Sequence, residues 1–177
     1  ETLEKSINFD WCKIYEIARM EADELENNLT VLFVEMVNKA GDCFSQTFTL
    51  SGPGKGNISD QDEAGGLSGK LDFEKVKGLT PASINVEAIR KQYEEAKAMI
   101  PENYTFKSIG DYLIQETVPS GNEFLDRNKT FGEVKAEFSM NITENGKEIV
   151  ESAGKKSVQY YEVTFNVLPD GSVQMEE

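Results

Sequence analysis

The residues most suggestive of chemistry lie in GPGKGNISDQDEAGGLSGK, residues 52–70, where six glycines surround Asp60, Asp62 and Glu63. A phosphate loop needs four residues between its glycines, then Lys and Ser/Thr, between a strand and a helix. Here Gly52-Pro53-Gly54-Lys55 runs into Gly56, and Gly69-Lys70 runs into Leu71, so neither end supplies the magnesium-binding hydroxyl. An EF-hand loop starting at Asp60 places Asp62 third, but Ala64 fifth, Gly65 sixth and Leu71 twelfth. Two essential oxygens are missing. Asp60, Asp62 and Glu63 therefore remain candidates for weak calcium ligation only, and the stretch reads as a slack connector. Asp126, Asn128 and Thr130 form a second alternating oxygen pattern, with Phe131 where a calcium loop needs glycine.

The chain contains no histidine. That excludes Ser-His-Asp and Cys-His nucleophilic sites and His-containing zinc sites. Carboxylate pairs can hydrolyse glycosides without histidine. With 32 acidic residues the sequence cannot select a pair, though Glu16, Glu35, Glu137 and Glu162 lie on or near apolar segments. Glu35 stands out because both faces of its segment look buried, and a buried unpaired carboxyl marks a site. The competing expectation puts Glu35 near a strand end or beside a lysine. Phe9, Trp11 and Tyr15 form either an aromatic platform for a sugar or peptide, or the core face of a helix. Cys12 and Cys43 either remain buried thiols or form one bridge joining helix to hairpin strand. Lys13 beside Cys12 would lower that thiol's pKa.

Composition bounds the rest. A chain of 177 residues with 38% hydrophobic and 28% charged content suits one soluble domain or two small ones. The net charge is -14, spread through both halves. Such a surface repels nucleic acid and anionic membranes and suits a basic protein partner. No apolar run is long enough for a transmembrane segment. The first residue is Glu1 rather than Met, which leads to the expectation of a processed leader, with a lipid anchor upstream of Glu1 as one form of it. Asn-X-Ser/Thr triplets occur at Asn28, Asn57, Asn103, Asn128 and Asn141. Asn141 lies inside a well-patterned strand, which favours a bacterial chain where such triplets carry no glycan.

The elements that must position these residues follow from periodicity. Trp11, Ile14, Tyr15, Ala18, Ala22 and Leu25 recur at helical spacing, predicting a helix over 5–26. Residues 28–37 predict a two-sided central strand, and 43–50 its hairpin partner. Residues 70–76 predict a short strand. Thr80-Pro81 predicts the start of a helix with Val86, Ile89, Tyr93, Ala96 and Ile100 on one face, ended by Pro101. Residues 104–115 predict one or two short strands around Gly110, and 118–130 a polar loop. Val134–Thr143 alternates strictly, and Asn145-Gly146 predicts that 147–152 pairs back on it. Residues 157–167 and 173–175 complete a meander.

The predicted fold class is α+β: two helices packed on an antiparallel β-sheet. Its units are a helix and hairpin (1–51), a Gly-rich linker with a short strand (52–79), and a helix and meander (80–177), or one domain over 1–177. Such layouts include small cystatin-like or inhibitor-like α+β units, an architectural analogy that carries no activity. No cofactor is expected. The leading functional expectation is an exported, non-catalytic binding or accessory protein of a bacterial cell envelope, extracytoplasmic, with a protein or glycan ligand. The alternatives are an acidic inhibitor or immunity-type protein docking on a basic partner, and a carboxylate-based hydrolase.

Overall fold

Residues 12–20 decide the fold class. The structure, a computed structural model, describes residues 2–23, 25–63, 70–120, 122–152 and 154–176. In place of the helix expected over 5–26 it has a five-residue helix α1 (Thr2–Ser6) and a nine-residue strand β1 (Cys12–Met20). Asn8 makes the break: its side chain accepts from the Asp10 amide, and its carbonyl accepts from Trp11 and Cys12. Beyond it, Cys12, Ile14 and Ala18 alternate with Tyr15 and Ile17, and all five are buried. Two-sided burial mimics helical spacing, and the β-branched and aromatic residues then favour the extended form.

The remaining strands are β2 (Val31–Asn38), β3 (Cys43–Thr49), β4 (Asp62–Glu63), β5 (Tyr104–Glu116), β6 (Val134–Glu144), β7 (Ile149–Ser152), β8 (Lys155–Val158), β9 (Tyr161–Val167) and β10 (Val173–Met175). Eight of them form one antiparallel sheet in the order β10-β9-β6-β5-β1-β2-β3-β4, and β7 and β8 form a separate ribbon. The expected two helices on a sheet are thus corrected to a sheet-dominated chain. Besides α1, the α-helices among the described residues are α2 (Val86–Met99) and the four-residue α3 (Glu123–Asp126). The chain divides into two compact units.

The first unit holds Glu1–Arg19, Thr30–Ile84 and Leu113–Lys135. β2 and β3 pair from Val31↔Thr49 to Val37↔Cys43 across the Asn38–Asp42 turn. Asn38 caps that turn by accepting from the Ala40 and Asp42 amides. Gly41 is required there: its φ is 86°, and a Cβ would lie 2.8 Å from the Leu71 carbonyl oxygen. Residues 52–63 of the stretch read as a connector run back along β3. The Thr49 amide donates to Asn57, Ser59 donates to Thr47, and β4 pairs Glu63 with Phe44. The rest of the Gly-rich stretch, 64–69, including Ala64 and Gly65, lies outside the described residues. The strand expected at 70–76 is a 3-10 turn, Phe73–Lys75, capped by Asp72. The Lys13 ammonium ties it down, donating to the Phe73 and Val76 carbonyls at 2.9 and 2.7 Å. Tyr15, Val37, Leu71 and Val76 form a core under it.

The second unit holds Met20–Leu29, Asn85–Tyr112 and Ala136–Glu177. Its helix α2 starts at Val86 rather than Pro81, because Asn85 is the N-cap and accepts from the Ala88 amide at 3.1 Å. Tyr93 of α2 meets Tyr112 and Phe138 edge-on, and Phe138 stacks on Tyr112 and Phe165. The residues after Asn145-Gly146 do not pair back on β6. β6 pairs with β9, Phe138 opposite Phe165 and Met140 opposite Val163, and β7 pairs with β8. β6 is buried on both faces over 138–143, and the apolar alternation of β9 matches it where Glu148 and Glu151 would not.

Candidate functional site

The first unit brings five of the sequence-selected residues to one groove of about 520 Å³: Trp11, Cys12, Cys43, Asp62 and Glu63, with Asp42 beside them. The turn at Asn8 leaves Trp11 half exposed, at 50%, at the mouth of β1. The return strand β4 delivers Asp62 and Glu63. The amides of Asn8, Asn38, Gln46 and Gln61 complete the polar lining. Asp42 is oriented by the Asn38 amide at 3.2 Å and by Lys70 at 3.5 Å. None of the described lining residues is Lys or Arg.

The expected aromatic platform is only partly assembled. Phe9 and Trp11 are exposed, but Tyr15 is 1% exposed and belongs to the core. Asp60 lies outside the groove, and its carbonyl accepts from the Ser59 hydroxyl. Among the described residues no group of three or more His, Cys, Asp or Glu is placed to hold a metal ion. Cys12 and Cys43 are free thiols on β1 and β3, with β2 between them. Two strand spacings come to about 9–10 Å, beyond the roughly 4.4–6.8 Å Cα separation of disulfides. Burial pushes both thiols up despite Lys13 beside Cys12, and for Cys43 it outweighs the bond from the Leu71 amide. Neither is an activated nucleophile.

A second pocket of the same unit, about 490 Å³, is lined by Tyr15, Glu16, Glu35, Glu116, Lys129 and Lys135 among others. Glu35 lies in mid-strand, opposite Ser45, rather than at a strand end. Burial raises its carboxyl above the ordinary value, and the Tyr15 hydroxyl only partly counters this. Burial, then Glu35 and Cys43, push the Tyr15 hydroxyl far up. That hydroxyl nonetheless makes no hydrogen bond of good geometry. Glu137 and Glu162 are exposed on strands of the other unit.

Sequence reasoning missed Glu116 and Glu21. Glu116 is 1% exposed and accepts from the Lys77 and Gly78 amides at 2.8 and 2.7 Å. In the second unit, Glu21 accepts from the Asn27 and Leu25 amides, the Ser108 hydroxyl and the Asn141 amide. Buried Ser108 and Asn141 are the available signal: small polar residues inside otherwise apolar strands. Asn141 is 5% exposed, so its sequon is closed in the folded chain.

No protein-family model, curated protein or solved structure matches the chain. The class that the fold defines is a chain dominated by an eight-stranded antiparallel sheet, with open polar pockets in its first unit. No helix among the described residues is long and apolar enough to cross a membrane.

Proposed function

We propose that the protein is a non-catalytic binding protein of a bacterial cell envelope that holds a neutral glycan in the Trp11 groove. One observation carries this reading: a half-exposed tryptophan flanks a groove whose walls are planar amides and carboxylates. An indole face stacks on the apolar face of a sugar ring. Side-chain amides and carboxylates accept and donate to its hydroxyls, and few convergent polar groups suffice for orientation. The Asn-, Thr- and Gly-rich loops support export. Trp11 is the single tryptophan, so its fluorescence reports on the groove directly. Titration with a glycan panel should shift its emission for at least one member. Asp62→Asn, which leaves the fluorophore in place, should weaken that response about tenfold. All glycans should be recovered uncleaved. A silent tryptophan across the panel, or a response indifferent to Asp62, overturns the reading.

A second reading rests on Asp42, Asp62 and Glu63 sharing a groove free of lining lysine and arginine. An acidic inhibitor would dock this face on a basic partner. Its binding would weaken steeply with added salt, whereas glycan binding would not.

A further inference from the structure

The second pocket of the first unit carries chemistry that the glycan reading does not use. Tyr15 is fully buried and lines this pocket, and its hydroxyl, beside Glu35 and Cys43, makes no hydrogen bond of good geometry. Buried polar groups are rarely left so, and each one asks for a partner. Glu35, on the neighbouring strand, is half-buried and makes no ion pair among the described residues. The groups around these two are already engaged. The Gln115 amide donates to Glu16 at 2.6 Å. Both Glu116 oxygens are taken by backbone amides. Lys129 and Lys135 are each near an acid, Asp126 at 3.6 Å and Glu133 at 3.7 Å. The Cys43 thiol lies close to Tyr15 and Glu35 and is itself raised by burial. Glu16, Glu35 and Glu116 outnumber the two lysines, and those lysines are partly neutralised.

We propose that this pocket binds a small primary ammonium compound, its cation seated between the Glu35 carboxylate and the Tyr15 hydroxyl. The ammonium supplies what each group lacks. Its N–H groups donate to Glu35 and to a lone pair of the Tyr15 oxygen, while the Tyr15 hydrogen remains free to donate to Glu35. A charge-assisted pair compensates the burial of a carboxylate, which a lone carboxylate cannot do for itself. A carboxylate ligand would instead meet Glu16, Glu35 and Glu116. The volume lies within the roughly 300–1,000 Å³ of small-molecule sites. The proton balance is simple: where Glu35 is protonated in the free protein, one ammonium enters, Glu35 ionises, and one proton leaves to solvent.

The test uses the full chain and n-butylammonium chloride, followed by calorimetry at physiological ionic strength from mildly acidic to mildly basic pH. Paired buffers of different ionisation enthalpy count the protons. Affinity should rise by up to about tenfold per pH unit while Glu35 is protonated, with up to one proton released, and then level off. Glu35→Gln should bind at least about tenfold more weakly and show a flat pH profile. Tyr15→Phe should weaken binding and keep the profile. Sodium butyrate, matched in size and opposite in charge, should not compete. Proton release in the unaltered chain is the decisive readout and needs no variant to fold. The proposal fails if butylammonium gives no heat at millimolar concentration or binds Glu35→Gln equally well. It also fails if butyrate binds instead, or if binding vanishes with salt and releases no proton, which would be diffuse attraction to the acidic surface.

Discussion

Glu116 offers the most direct test of the first unit's architecture. Its carboxylate holds the turn at Lys77 and Gly78 through two backbone amides, at 2.8 and 2.7 Å. Gly78 has φ 87°, outside helical and sheet conformations, and the carboxylate is the acceptor for both the Lys77 and Gly78 amides. Hydrogen bonds to charged groups contribute about 1.5–3 kcal/mol each. Lys77 is exposed, so water replaces part of the bond to its amide and the lower half of the range applies. Glu116→Ala should then cost about 3–4 kcal/mol, a large share of the roughly 5–15 kcal/mol by which domains are stable. Glu116→Gln keeps one acceptor but turns a donor toward the second amide, and should cost about 1.5–3 kcal/mol. Urea denaturation followed by circular dichroism measures both, and the midpoint should fall with the slope unchanged. A Glu116→Gln midpoint within about 0.5 kcal/mol of the parent would refute the reasoning.

Three further outcomes follow from particular contacts. Burial raises Glu35, so the folded chain keeps this proton at pH values where the unfolded chain, near the ordinary 4.5, has released it. The stability it contributes is complete below that value and is lost as pH rises through the folded one. Urea midpoints of the parent and Glu35→Gln should therefore diverge with rising pH, the variant becoming the more stable, and parallel curves would contradict the assignment. Gly110→Ala places a Cβ 2.6 Å from Ser139 Oγ, which Asp111 holds at 2.6 Å. It should cost about 1–3 kcal/mol, with partial recovery in Gly110→Ala/Ser139→Ala; simple additivity in that double-mutant cycle would show that the contact is unimportant. Alkylation of the denatured, unreduced protein should modify both Cys12 and Cys43, and in the native state the better-buried Cys12 should react more slowly. An intact mass showing neither modified would establish a bridge and displace β1 or β3.

Several elements were legible because their burial is one-sided or their punctuation strong. The segment 43–50 that holds β3 alternates Phe44, Phe48 and Leu50 with Ser45, Thr47 and Thr49 in sequence, α2 has apolar residues at helical intervals between Asn85 and Pro101, and Pro169-Asp170-Gly171 marks the turn into β10. β1 was not legible. Its apolar residues fill both faces, and the intervals of three and four this creates are those of a helix. Gly110 looked like a strand break, yet β5 runs through it without interruption. The glycine is there because Ser139 and Asn141 leave no room for a side chain. The hairpin signal at Asn145-Gly146 was real as a turn, with φ values of 51° and 68°, but a turn does not choose its partner strand.

The site divides in the same way. Trp11, Cys12, Cys43, Asp62, Glu63 and Glu35 were each visible as residues of chemical interest. The sequence by itself determined the absence of histidine chemistry, the acidic surface and most strand positions, since those depend on composition and local pattern. Only the tertiary structure decided that the return of residues 50–63 along β3 carries Asp62 and Glu63 to Trp11. It also decided that Tyr15 and Glu35 share one pocket and that Glu116 is spent on backbone amides. These are contacts between residues far apart in the chain. They are selected by which strand edges and faces must be covered at once, a condition no local window of sequence contains.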